Sequence, residues 1–141
     1  MDFLISLLKL LHLLCAIGLS GFIVTCYALW CYFLRQNIYN EANLKGLYRA
    51  DHVAMGLTAL QFLLGVLLVL PKGYAFTTPW IDAAMVLLVI IAILIHIGFT
   101  LKKALLKHHK KGYIVALHMV ECLKLIAIVL IIHDAVLKQT F

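Results

Sequence analysis

Five histidines, His12, His52, His96, His118 and His133, lie inside or at the edges of long apolar stretches of a 141-residue chain. An imidazole in hydrocarbon is costly unless something binds it, and ionisable groups within membrane spans mark functional sites by default. The chemistry that suits this set is axial ligation of heme iron, for which neutral imidazole is a natural donor. His118 and His133 are 15 residues apart, roughly 22 Å along a helix, and differ by about 60° around its axis. They therefore share one broad face at two depths. Each histidine also has a plainer reading: His52 and His133 adjoin Asp51 and Asp134 as solvated end residues, and the others are hydrogen-bonded core imidazoles. Glu121 and Lys124 stand at i,i+3 spacing near the middle of the last apolar stretch. They form either a mutually neutralised pair or a proton-handling pair one turn from His118. His108 and His109, flanked by lysines, suit a loop near anionic lipid. Lys9 has the length to snorkel to the membrane surface.

The elements that must position these groups are legible in composition. The chain is 65 % hydrophobic and 13 % charged, against about 25 % charged for a typical soluble domain. A hydrocarbon core about 30 Å thick needs roughly 20 helical residues. Four stretches qualify, at about 3–34, 50–70, 80–101 and 113–133. Pro71 ends the second, Thr78 is a candidate N-cap for the third, and Gly112 precedes the fourth. The polar segment Gln36 to Leu47 reads as a connection with a short interfacial helix. Short connections predict a single all-α domain, an up-down-up-down bundle of four transmembrane helices.

Charge sets an orientation. Arg35, Lys45, Arg49, Lys102, Lys103, Lys107, Lys110 and Lys111 fall between spans one and two or between spans three and four. The positive-inside rule assigns those connections to the cytoplasm and both termini to the outside. This clustering speaks against a nucleic-acid surface, although the net charge is +6. On this orientation His12 and His133 lie in the outer half, and His52, His96 and His118 in the inner half. Gly56 and Ala16 each follow a histidine by four residues and leave room on its face for a flat macrocycle. Cys15, Cys26, Cys31 and Cys122 are scattered in apolar stretches without a Cys-x-x-Cys pair, and read as small core residues. The chain lacks a basic leader and an Ala-x-Ala site at its start, so the first span is expected to be retained. Gly18 and Gly21 form a candidate lipid-facing contact for a homodimer.

Several short motifs carry a resemblance: Lys9-Leu10-Leu11-His12; Tyr48-Arg49-Ala50-Asp51 through Gly65; Lys72-Gly73-Tyr74; Pro79-Trp80; Ile95-His96-Ile97-Gly98 before Lys102-Lys103; and Val120-Glu121-Cys122. Together they resemble the small four-helix bacterial membrane proteins around the HemJ-type protoporphyrinogen oxidase, and more closely that group's uncharacterised relatives. The chain departs from the oxidase pattern at Val120, at Cys122-Leu123 and at His118. The resemblance implies a tetrapyrrole- or redox-associated fold in the bacterial inner membrane, with His12, His96 and Glu121 as the carried-over positions.

The function expected from these readings is a membrane redox protein binding heme b. His12, His96 and His118 are the candidate iron ligands, joined by His52 and His133 as further cofactor contacts. Glu121 and Lys124 would handle protons. Electrons would pass to a quinone or a partner subunit, and an oxidase acting on a porphyrinogen is a variant of the same reading. The alternatives are a cofactor-free accessory subunit and a copper-handling membrane protein. Soft-metal relays favour clustered Cys and Met, which this chain lacks.

Overall fold

The computed structural model describes residues 2–38, 40–70, 79–108 and 110–137. Four helices occupy them: α1 (Asp2–Gln36), α2 (Glu41–Val69), α3 (Pro79–His108) and α4 (Lys111–Leu137). Each is long and apolar enough to cross a membrane. Helices suit that setting because every backbone donor and acceptor is satisfied within the segment. Pro71, Lys72, Thr78, His109 and Lys138, and the side chains of Trp80 and Asp134, lie outside the described residues.

The helices overrun the hydropathy boundaries. Of the segment Gln36 to Leu47, expected to be a connection with a short interfacial helix, Gln36 ends α1 and Glu41 to Leu47 form the first turns of α2. Leu44 and Leu47 are buried at the same three-and-four spacing that continues through Asp51, Ala54, Thr58 and Gln61. Packing, rather than hydropathy, therefore carries the helix back to Glu41. Asn40 caps it, its side chain accepting from the Asn43 amide at 2.9 Å. The preceding helix ends in a two-bond reverse turn, Ile38 N to Phe33 O at 3.0 Å and Asn37 N to Leu34 O at 3.2 Å. Asn37 takes φ 53°, in the left-handed region that asparagine tolerates better than most residues. Helix α3 likewise runs seven residues past Leu101, because Lys102 to Lys107 are good helix formers.

Sequence neighbours pack on one another: α1 on α2, α2 on α3, α3 on α4, while α1 meets α4 only lightly. The interior contains two apolar layers. One gathers Cys26, Trp30, Leu44, Leu47, Leu105 and Leu117, with Leu34 and Ile114 against it. It lies at the end of the bundle that carries the α1–α2 and α3–α4 connections. The other, nearer mid-bundle, gathers Leu19, Ile23, Ala54, Ile91, Ile95 and Ile128 among others. The outside is apolar too, with Leu14, Ile17, Val89, Ile93, Val115 and Met119 all exposed. A surface of that kind matches hydrocarbon rather than water.

Candidate functional site

Four charged side chains meet between the two apolar layers. Asp51 comes from α2, Lys102 from α3, and Glu121 and Lys124 from α4. All are 1–2 % exposed. The Lys102 ammonium donates to Asp51 Oδ2 at 2.5 Å and to Glu121 Oε1 at 2.9 Å. The Lys124 ammonium donates to Asp51 Oδ1 at 3.3 Å and pairs with Glu121 Oε2 at 2.7 Å. Each cation thus bridges both carboxylates, and the group sums to zero charge. Gly98 borders it: a Cβ at that position would lie 3.5 Å from Asp51 Oδ2 and 3.8 Å from Lys124 Nζ. Those are ordinary van der Waals distances, so the position has room for a methyl beside the charges but is closed to a large side chain.

Asp51 and Glu121 each stand ten residues, roughly 15 Å, from the first residue of their helices. At that depth an isolated charge costs several kcal/mol, and close opposite charges with good hydrogen bonds are needed to offset it. The layer meets this requirement as it stands. Adding or removing one proton leaves an uncompensated unit charge in an apolar shell. A change of protonation here is therefore favourable only when a compensating charge arrives nearby.

The five candidate histidines are not gathered into one site. His12 is half-buried, and the Gln61 amide donates to its Nε2 at 3.0 Å across the α1–α2 contact. Its Nδ1 is buried without a hydrogen-bond partner. His118, also half-buried, lies in the lightly packed contact between α1 and α4. Its ring stacks on Tyr27, with centroids 6.2 Å apart and planes inclined by 22°, and its Nε2 lies 3.8 Å from Cys122 Sγ. Its Nδ1 too is buried and unpartnered. His52 is exposed, donating from Nδ1 to the Tyr48 carbonyl at 3.0 Å and meeting the Phe99 ring edge-on at 4.0 Å. His96 and His133 are exposed, and Gly56 borders open space. Among the described residues, no group of three or more His, Cys, Asp or Glu is arranged to hold a metal ion. The four cysteines are free thiols.

Glu121 and Lys124 were identifiable from sequence as an intramembrane pair. Their partners were not: Asp51 reads as an interfacial neighbour of His52, and Lys102 as a basic loop residue. The available signal was periodicity. Lys102 continues the stripe Leu88, Ile91, Ile95, Gly98 to Leu105, all buried, and Asp51 sits on the equivalent stripe of α2. Gln61 occupies that stripe as well.

This combination of fold and site defines a protein of four helices, each long and apolar enough to span a membrane, with a charge-neutral ionic layer sealed in its core. No protein-family profile matches the chain, and no match was found among curated proteins or solved structures.

Proposed function

We propose that the protein is a multi-pass membrane redox protein in which the Asp51–Lys102–Glu121–Lys124 layer handles the protons that accompany electron transfer. The observation that carries this reading is the layer itself, four ionisable groups from three helices paired within an apolar shell. Buried ionisable groups of this kind mark proton or ion paths in membrane proteins. Its neutrality favours coupling, because a charge arriving nearby is balanced most cheaply by a proton.

His118 is the donor that best fits heme b. It has an unpartnered buried nitrogen, lies in the loosest contact of the bundle and stands one turn from Glu121. When bound there, heme would supply one-electron chemistry. Tyr27 would hold the imidazole plane by stacking, and Glu121 would take up or release the balancing proton. On this reading the basic α1–α2 and α3–α4 connections face the cytoplasm of a bacterial inner membrane and the helices run up-down-up-down.

Complete mutual pairing also favours a second reading, a cofactor-free accessory subunit in which the layer fastens α2, α3 and α4 together. An absorption spectrum of the full chain purified in detergent, before and after dithionite, separates the two. A Soret band with an α band that sharpens on reduction, diminished in His118→Ala, supports the redox reading. A colourless protein that takes up no added hemin supports the accessory one.

A further inference from the structure

His96 lies on the outside of α3 among exposed apolar residues, Val89, Ile93 and Ile97. It stands six residues, roughly 9 Å, further from the connection end than Lys102 of the ionic layer. Among the described residues its ring makes no hydrogen bond. In a membrane an imidazole placed there faces hydrocarbon, a costly position unless a polar group reaches it from outside the chain.

The neighbouring residues define that group. His96, Phe99 and Lys103 follow one another at three- and four-residue steps and so share one stripe of α3; Arg49, His52 and Gly56 do the same on α2. The two stripes meet where the His52 ring abuts Phe99 edge-on at 4.0 Å, with Tyr48 edge-on to both at 4.9 and 4.7 Å. Arg49 and Lys103 are exposed, and each stands about one turn from this aromatic contact toward the connection end. Neither forms an ion pair among the described residues, and the exposed carboxylate of α2, Glu41, pairs with Lys45 at 2.6 Å. On the far side of His52, Gly56 borders open space and the exposed Ala59 carries only a methyl. The seam thus runs from two unpaired cations, past the aromatic contact, to an unpartnered imidazole and an apolar surface. Phosphate, ester and hydrocarbon tail follow the same order in a phospholipid. We infer that the α2–α3 seam binds an anionic phospholipid, its phosphate between Arg49 and Lys103 and an ester carbonyl accepting from His96. A zwitterionic lipid fits less well, because its ammonium meets the same two cations. The site rests on the membrane setting proposed above and not on the redox chemistry.

The test uses the full chain in detergent micelles, titrated with dioleoylphosphatidylglycerol, dioleoylphosphatidylcholine and inorganic phosphate, with bound lipid counted by native mass spectrometry. One phosphatidylglycerol per chain is expected, held about tenfold more tightly than phosphatidylcholine and not displaced by inorganic phosphate. Arg49→Gln combined with Lys103→Gln should abolish the preference, and His96→Leu should weaken binding about fivefold. Arg35→Gln combined with Lys111→Gln, which removes exposed cations at the same end of the bundle, should leave it intact. Equal retention of the two lipids, or equal loss in both pairs of cation variants, overturns the site and leaves a general basic surface. Displacement by inorganic phosphate overturns the lipid in favour of a free anion. A chain dimer that His96→Leu disperses overturns it in favour of a second copy on the seam. None of these outcomes involves heme, so the redox reading stands or falls separately on its absorption spectrum.

Discussion

Lys102→Met removes one of the two ammonium groups from the buried layer. Asp51 and Glu121 are then left to share Lys124, so the group, whose members are at most 2 % exposed, carries −2 + 1 = −1. Neutrality at pH 7 requires protonating one carboxyl whose reference value is about 4.3. That is roughly 2.7 units at about 1.36 kcal/mol each, or ~3.7 kcal/mol. The figure lies within the ~3–5 kcal/mol typical of removing one partner of a buried pair. The sign with pH follows from linkage. The folded variant holds a proton that its unfolded chain has released near neutrality, so its stability falls as pH rises and recovers as pH drops toward 5. The expected slope is about 1.4 kcal/mol per pH unit, measured by equilibrium unfolding of the full chain in mixed micelles from pH 5 to 8. Lys102→Met combined with Glu121→Gln leaves the Asp51–Lys124 pair neutral. The double variant should therefore be more stable at pH 7 than Lys102→Met alone, and should lack the slope. A loss below about 1 kcal/mol for Lys102→Met that does not change with pH would refute the reasoning, because an uncompensated buried charge cannot be that cheap.

Two further substitutions probe the packing around this layer. Gly98→Ala adds a methyl in ordinary contact with Asp51 and Lys124 and improves helix propensity, so thermal unfolding should be unchanged or raised; Gly98→Leu overpacks the same space and should cost about 1–3 kcal/mol. Trp30 is 0 % exposed and its indole nitrogen is buried without a partner. Trp30→Phe should thus cost less than about 1.5 kcal/mol in detergent unfolding, whereas Trp30→Ala, which opens a cavity, should cost about 3–5 kcal/mol.

The four spans were legible because hydropathy and length decide which helices can cross a membrane. Their ends were less so. Helix α2 begins nine residues before the hydrophobic edge at Ala50, since Leu44 and Leu47 have core to pack against, and α3 carries its lysines beyond Leu101 as helix. Half of the ionic layer was readable. Glu121 and Lys124 stand in an apolar run where any charge is conspicuous, but Lys102 lies beside Lys103 and passes for part of a basic loop. Only the three-and-four stripe through Ile95 and Gly98 distinguishes the inward lysine from its outward neighbour. The histidines show the converse limit. Residue type and depth make all five candidates, yet which of them face the bundle depends on helix rotation, and that is set by pairwise packing. Of the five, His12 and His118 turn inward far enough to be half-buried, while His52, His96 and His133 are exposed. The Gln61 partner of His12 is a neutral residue 49 positions away, and no charge draws attention to it.

Proton handling by the ionic layer is tested most directly by the midpoint potential of the purified protein as a function of pH. Coupling through the layer predicts a redox-active chromophore whose potential falls by about 59 mV per pH unit, one proton per electron, with the slope flattened in Glu121→Gln. A protein with no chromophore, or one whose potential is independent of pH or equally sloped in Glu121→Gln, would contradict it.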